Sequence, residues 1–329
     1  MKLQVPFIQL PLSYDAAALA AEVDAVDPDA WRPHPNALPG NSMLPLIAVG
    51  GDAGDEGFAG AMQPTPFLRD CPYLMQVLAS FGATLGRTRL MRLAGQAEVA
   101  RHVDQGYYWA ERVRVHVPIV TQPTVRFECG DAAINMGAGE CWIFDTWRQH
   151  RVLNDADLPR IHLVADTMGG GEFWAQVGRG RAPGKPQPEG AWQPRHVAPR
   201  QGVVPELMCE TVNVPEVMSP WELNAHLGML IADALPHPEL ARVQHHAQRF
   251  AQTWRGLWAR YGEARDGRPH YQRALGQFIE EVQGPGQAVR LRNEITWFSA
   301  MMTLVAKVAV RHEGTAAADH GEYGIADRA

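Results

Sequence analysis

Two quoted stretches decide how this chain is read: RHVDQGYYWAERVRVHVPIV at residues 101–120 and CWIFDTWRQHRVLNDADLPRIHLVAD at residues 141–166. Side chains alternate faces along a strand, so residues two apart point the same way. With 102–104 extended, His102 and Asp104 share a face and can grip one ion. A third ligand has to come from a neighbouring strand, and His150, 46 residues past Asp104, is placed to supply it. Ten residues after His150, Arg160 sits inside the apolar run PRIHLVAD.

The chemistry of that set is restrictive. Two imidazoles and one carboxylate on one face of an octahedral ion leave three positions open. Fe(II) suits the donors, and the open positions can take a bidentate 2-oxo acid and then O2. Arg160 offers a rigid two-pronged donor for the far carboxylate of such a co-substrate. Arg112, Arg114 and His116 alternate with Val113, Val115 and Val117, so the three polar groups share one face. That face is either an outer sheet surface or, beside Asp104, a barrel interior that holds an anion. Glu140 and Asp145 are the alternative carboxylates that could stand in for Asp104 as ligand. His162, two residues after Arg160 on the same face, reads as a supporting group or a core histidine.

RLMRLAGQAEVARHVD (89–104), RVRVHVPIV (112–120), GECWIFDTWRQH (139–150) and PRIHLVAD (159–166) together resemble the aspartyl/asparaginyl β-hydroxylase family of Fe(II)- and 2-oxoglutarate-dependent dioxygenases. The resemblance covers roughly residues 85–170, with a looser match back to about residue 5. It implies an α+β chain built on a double-stranded β-helix of the jelly-roll or cupin kind. It also implies that His102, Asp104 and His150 are the iron ligands and that Arg160 binds the C5 carboxylate of 2-oxoglutarate. His116 matches a histidine near the C1 carboxylate, and Arg114 an arginine of the substrate or co-substrate pocket. Some members that act on protein domains lack the acidic ligand. Keeping Asp104 makes this chain more similar to the bacterial members that hydroxylate free amino acids, such as the cis-proline hydroxylases.

Working outward, the chain has 329 residues, long enough for one large or two modest domains. Hydrophobic content of 46% and charged content of 20% are those of a soluble globular protein. A net charge of −6 gives no general drive toward nucleic acid or anionic membranes. Cys71, Cys129, Cys141 and Cys209 lie far apart with no CxxC spacing, which points to reduced thiols in a cytoplasmic protein. The opening MKLQVPFIQLPLSYDAAAL, broken by Gln and Pro, reads as neither signal peptide nor membrane span.

Residues 3–12 predict an edge strand and Ala16 to about Val26 a helix capped by Ser13 or Asp15. A loop with a short strand at Leu44–Val49 follows, then one helix over Thr65–Leu85. From 87 the chain is β-rich, with turns at Gly130–Asp131 and Gly137–Gly139. Tyr107, Tyr108 and Trp109 either wall a pocket or cover the sheet. These signals place a dioxygenase-type double-stranded β-helix at 1–175 with N-terminal helices. A Pro- and Gly-rich linker or covering loop at 176–204, a helical domain at 205–312 and a disordered tail at 313–329 complete the expected organisation.

Within the helical domain, Ser219-Pro-Trp-Glu222 has the form of a capping box, and helices are predicted at roughly 220–235, 238–262, 268–283 and 286–312. This domain is a candidate lid, carrier site or homodimer surface. His237, His245 and His246 read as surface histidines. Three functions fit: hydroxylation of an unactivated C–H of a free amino acid or amino-acid-like small molecule with release of succinate and CO2; β-hydroxylation of Asp or Asn in a peptide or carrier-bound substrate; and a non-catalytic cupin-like metal-binding or sensing barrel.

Overall fold

The computed structural model describes residues 1–35, 38–186 and 192–311. The tail expected at 313–329 lies outside the described residues. The chain divides into two compact units, one of Met1–Val103 with Glu111–Asn213, the other of Asp104–Ala110 with the chain from Val214 onward.

The first unit opens with β1 (Phe7–Tyr14), α1 (Ala16–Asp24), β2 (Arg32–Pro33), β3 (Asn41–Val49) and β4 (Met62–Pro64). Asp15 caps α1 by accepting from the Ala18 N–H at 3.0 Å. The single helix predicted for 65–85 is two short ones, α2 (Pro66–Arg69) and α3 (Pro72–Ala79). Proline at 72 bars its predecessor from helical torsions, and Cys71 accordingly sits at φ −119°, ψ 75°.

Eight strands follow: β5 (Thr84–Leu93), β6 (Glu98–His102), β7 (Val113–Val120), β8 (Val125–Cys129), β9 (Ala132–Ile134), β10 (Glu140–Phe144), β11 (His150–Asn154) and β12 (Arg160–Gly169). Between β6 and β7 the chain makes the short helix α4 (Tyr107–Ala110), and after β12 come α5 (Gly171–Gly178) and β13 (Arg195–Val197). One sheet runs β13-β1-β10-β7-β12-β5-β3-β2, with β4 also on β3; the other runs β6-β11-β8-β9. From β5 to β12 the chain passes back and forth between a large and a small sheet, and every pairing among these eight strands is antiparallel. That strand order is the double-stranded β-helix.

The two sheets share one core. Phe7, Phe144 and Trp142 from the large sheet meet Val125, Phe127 and Val152 from the small one. Phe127 packs edge-on to Phe7 at 5.7 Å and tilted on Phe144 at 4.8 Å. The turn into β10 requires glycine: Gly139 has φ +79°, and a Cβ there would lie 2.3 Å from the Tyr14 carbonyl oxygen. The segment expected as a linker or covering loop contributes β13, which pairs in parallel with β1.

The second unit is helical: α6 (Pro220–Asp233), α7 (Leu240–Tyr261), α8 (Arg268–Ala288), α9 (Trp297–Met301) and a π-helical turn at Met302–Ala306. Ser219 caps α6 by accepting from the Glu222 N–H, as the capping box predicts. Phe250 of α7 stacks on Phe278 of α8 at 4.2 Å. The helix expected over 286–312 is not continuous. α8 runs through Pro285 to Ala288; the chain then turns with Glu294 at φ +73° and Leu291 N–H donating to Ile295, and restarts under a Thr296 cap. Apolar residues there are buried by tertiary contacts, which a period-3.6 reading cannot distinguish from a helix. No helix among the described residues is long and apolar enough to cross a membrane.

Candidate metal centre and anion pocket

His102 is the last residue of β6 and His150 the first of β11, and the two are paired directly across the ladder. Their rings stand 4.1 Å apart, centroid to centroid. Asp104 follows two residues on, past the strand end. One ligand atom from each of His102, Asp104 and His150 can be chosen so that all lie within 4.8 Å of one another, and all three residues are buried. This is the only such group of three or more His, Cys, Asp or Glu among the described residues. Glu140 is used elsewhere, accepting from the Gly137 N–H and Trp142 Nε1, and Asp145 accepts from the Trp147 N–H and Arg148 Nε. His246 is half-buried and contacts Glu281.

The tautomers fit a metal. His102 Nδ1 lies 2.7 Å from the Ala100 carbonyl and His150 Nδ1 2.9 Å from the Arg148 carbonyl. A carbonyl only accepts, so each Nδ1 carries the proton and each Nε2 keeps its lone pair. Burial, then the neighbouring His102 ring, push the His150 pKa well below the usual histidine range, so its ring is neutral. A buried carboxylate beside two imidazoles with fixed ring orientation is a donor set for a divalent transition metal, and an oriented outer hydrogen bond on each ligating histidine is the usual support for one.

Arg160, His162, Val164 and Asp166 lie on one face of β12, and β7 places Arg114 opposite Asp166 and His116 opposite Val164. Arg160 is 3% exposed. No carboxylate pairs with it among the described residues, and burial alone pushes its pKa down to about 9, still above neutrality. Its Nη2 donates to His162 Nδ1 at 2.6 Å, which puts the His162 proton on Nε2. Both Arg160 Nε and His162 Nε2 are then buried donors with no acceptor among the described residues. His116 stands beside them, its Nδ1 3.3 Å from His162 Nδ1, its ring edge-on to Phe127 and Phe144. Burial, then Arg160, Arg114 and Arg89, hold His116 well below the usual histidine range. An uncompensated buried guanidinium costs several kcal/mol, roughly, unless an anion reaches it.

Arg114 differs from its expected role as a pocket arginine in being already engaged: its Nε donates to Asp166 Oδ1 at 2.9 Å, both side chains buried. Burial by itself would raise the Asp166 carboxyl; the Arg114 guanidinium, its hydrogen bond, and Arg89 and Arg87 beyond it hold the net pKa below the usual carboxylate range. A depressed folded-state pKa adds stability above the unfolded value, about 3.9, that is lost as pH falls through the folded one. Arg114→Ala therefore lowers the urea midpoint at pH 7 by the equivalent of about 3–5 kcal/mol, and the difference from the unaltered chain shrinks below pH 4. An equal difference at pH 3 and pH 7 would remove the ion pair from the account. Arg112 is paired too, holding Glu210 through two bonds of 2.7 and 2.9 Å.

Sequence reading did not foresee Asp166 as the partner of Arg114, nor the Ala100 and Arg148 carbonyls as orienters. The period-two spacing of 160, 162, 164 and 166 was the available signal for Asp166; backbone carbonyls leave none. Tyr107, Tyr108 and Trp109, expected at a pocket wall or over the sheet, are buried residues of α4 in the helical unit.

Residues 57–169 match the family model described as Aspartyl/Asparaginyl beta-hydroxylase, the family whose resemblance the sequence carries. No curated protein sequence matches the chain. Among solved structures, an oxidoreductase of the 2OG-Fe(II) oxygenase family from Burkholderia pseudomallei aligns at TM-score 0.36 and 12% identity, over 48% of this chain and 80% of that one. A prolyl-4-hydroxylase from Pseudomonas putida aligns at TM-score 0.35 and 18% identity, over 51% and 95%. A cupin-superfamily sugar phosphate isomerase from Silicibacter pomeroyi aligns at 0.26 and 20%, over 44% and 73%. The strand order described above, rather than these likenesses, identifies the fold.

Proposed function

Since residues 57–169 carry the pattern of the aspartyl/asparaginyl β-hydroxylase family, we propose that the chain is a Fe(II)- and 2-oxoglutarate-dependent dioxygenase that hydroxylates an unactivated C–H bond of a free amino acid or amino-acid-like small molecule, with release of succinate and CO2. The observation that carries the reading is the buried convergence of His102, Asp104 and His150. These three residues would hold the metal. Fe(II), when bound, supplies the redox chemistry by which one atom of O2 enters the C–H bond and the other enters succinate.

The rest is the work of the chain. The Ala100 and Arg148 carbonyls fix both imidazoles with Nε2 lone pairs available. Arg160 receives the distal carboxylate of 2-oxoglutarate, and the anion neutralises a cation that has no carboxylate partner among the described residues. His162 keeps the guanidinium oriented by accepting from Nη2. His116, neutral and walled by Phe127 and Phe144, borders the same pocket and keeps it dry. Placement selects which C–H reacts, because only a carbon held against the reactive centre is in range. The retained Asp104 favours a free amino acid over a protein substrate.

The test is succinate release by the full chain given Fe(II), ascorbate, 2-oxoglutarate and a panel of amino acids and short peptides. Succinate appears in step with a product heavier by one oxygen, on a free amino acid. Product from Asp- or Asn-containing peptides alone moves the assignment to β-hydroxylation of peptides. Binding of 2-oxoglutarate with no turnover on any substrate ends the enzyme reading in favour of a sensing barrel.

A further inference from the structure

Asp104 lies where the strand that carries His102 has already ended. Ladder pairing with β11 reaches His102 and a β-bridge reaches Val103; Asp104 and Gln105 follow them. The residues that follow Asp104 are held from far away in the chain. The carbonyl of Gln105, next to Asp104, accepts from Thr303 Oγ1 at 2.9 Å. Two residues later, the Tyr107 hydroxyl donates to Glu222 Oε1 at 2.5 Å. The Tyr107 ring also meets His226 edge-on at 5.7 Å, and Tyr107, Tyr108 and Trp109 are all buried. A single helical turn such as α4 does not persist on propensity; these tertiary bonds hold it. Asp104–Ala110 accordingly belongs to the helical unit, with Glu222 and Thr303.

Thr303 itself occupies the π-helical turn Met302–Ala306. Such turns are rare and recur at functional sites. Its one hydroxyl proton has the Ser299 and Ala300 carbonyls as alternative acceptors at 3.3 and 3.1 Å, and the Gln105 carbonyl, at 2.9 Å, is the nearest of the three. A ligating carboxylate has to be held within about half an ångström of its working position. We propose that Thr303 and Glu222 are positioning residues for the metal's carboxylate ligand: by holding Gln105 and Tyr107 they set the backbone of Asp104. This rests on the iron reading above.

The experiment is a titration of the full chain with Co(II), a stable substitute for Fe(II), followed by calorimetry and visible absorbance. Thr303→Val and Tyr107→Phe each weaken Co(II) binding by about tenfold or more, the scale of outer-shell losses at metal sites. Thr303→Ser and Glu222→Gln, which keep a hydroxyl and an acceptor oxygen, bind as the unaltered chain does. In an Asp104→Ala background Thr303→Val adds no further loss, because the ligand it positions is gone. Tyr107→Phe removes a single oxygen atom and keeps the test available should Thr303→Val fail to fold. Unchanged affinity in Thr303→Val and Tyr107→Phe, or the same loss with and without Asp104, overturns the positioning role while leaving the iron reading intact. An unaltered chain that does not bind Co(II), or binds it equally well as His150→Ala, overturns both.

Discussion

His150→Ala abolishes metal binding and lowers 2-oxoglutarate turnover by about a thousandfold or more, since the barrier lowering that the metal supplies is gone with it. The fold survives. β11 is paired along its length, with β6 on one side and β8 on the other, through backbone bonds that the substitution leaves untouched. The lost imidazole leaves a cavity against Phe144 and Phe127, which stand 4.9 and 6.4 Å from its ring. The cost of that cavity is a few kcal/mol, roughly, and shows as a lower melting temperature, not as loss of structure. The measurement pairs far-UV circular dichroism with Co(II) titration and succinate release. A folded variant that retains full 2-oxoglutarate-dependent turnover removes His150 from the site.

Arg160→Leu separates binding from stability in opposite directions. The guanidinium is buried without a carboxylate partner among the described residues, so in the ligand-free chain it is a net cost. Replacing a buried charge with an apolar side chain of similar bulk is neutral or stabilising by about 1–4 kcal/mol. The melting temperature of the ligand-free variant therefore holds or rises. Affinity for 2-oxoglutarate collapses, because truncating one member of a buried charge pair costs about 2–5 kcal/mol, which is roughly a 30- to several-thousand-fold weakening. Calorimetric titration with 2-oxoglutarate on the metal-loaded chain reads the second effect and a thermal scan the first. Unchanged 2-oxoglutarate affinity would mean that the far carboxylate docks elsewhere.

Much of this site was legible in the sequence because its logic is local. His102 and Asp104 sit two apart, and the strands around 112–117 and 160–166 alternate polar and apolar residues, which is a period a reader can see. The strand-rich middle and the turn at Gly139 announced themselves in the same way. Where sequence reading went astray, long-range contacts outweighed local pattern. Apolar residues suggested one helix over 286–312, yet a turn at Glu294 and a cap at Thr296 break it. The aromatics at 107–109 gave no hint of which part of the chain would bury them, since Glu222, which accepts from the Tyr107 hydroxyl, lies more than a hundred residues away. Arg114 looked available because its partner, Asp166, is on another strand. β13 was missed because a three-residue parallel pairing leaves almost no periodic trace.

The most direct test of the central claim is anomalous diffraction from crystals of the full chain loaded with Mn(II) and 2-oxoglutarate. The account predicts one strong metal peak bound by Nε2 of His102, Nε2 of His150 and a carboxylate oxygen of Asp104, with the distal carboxylate of 2-oxoglutarate against Arg160. A peak bound by other residues, or a metal held by these three with the co-substrate's distal carboxylate away from Arg160, would contradict it.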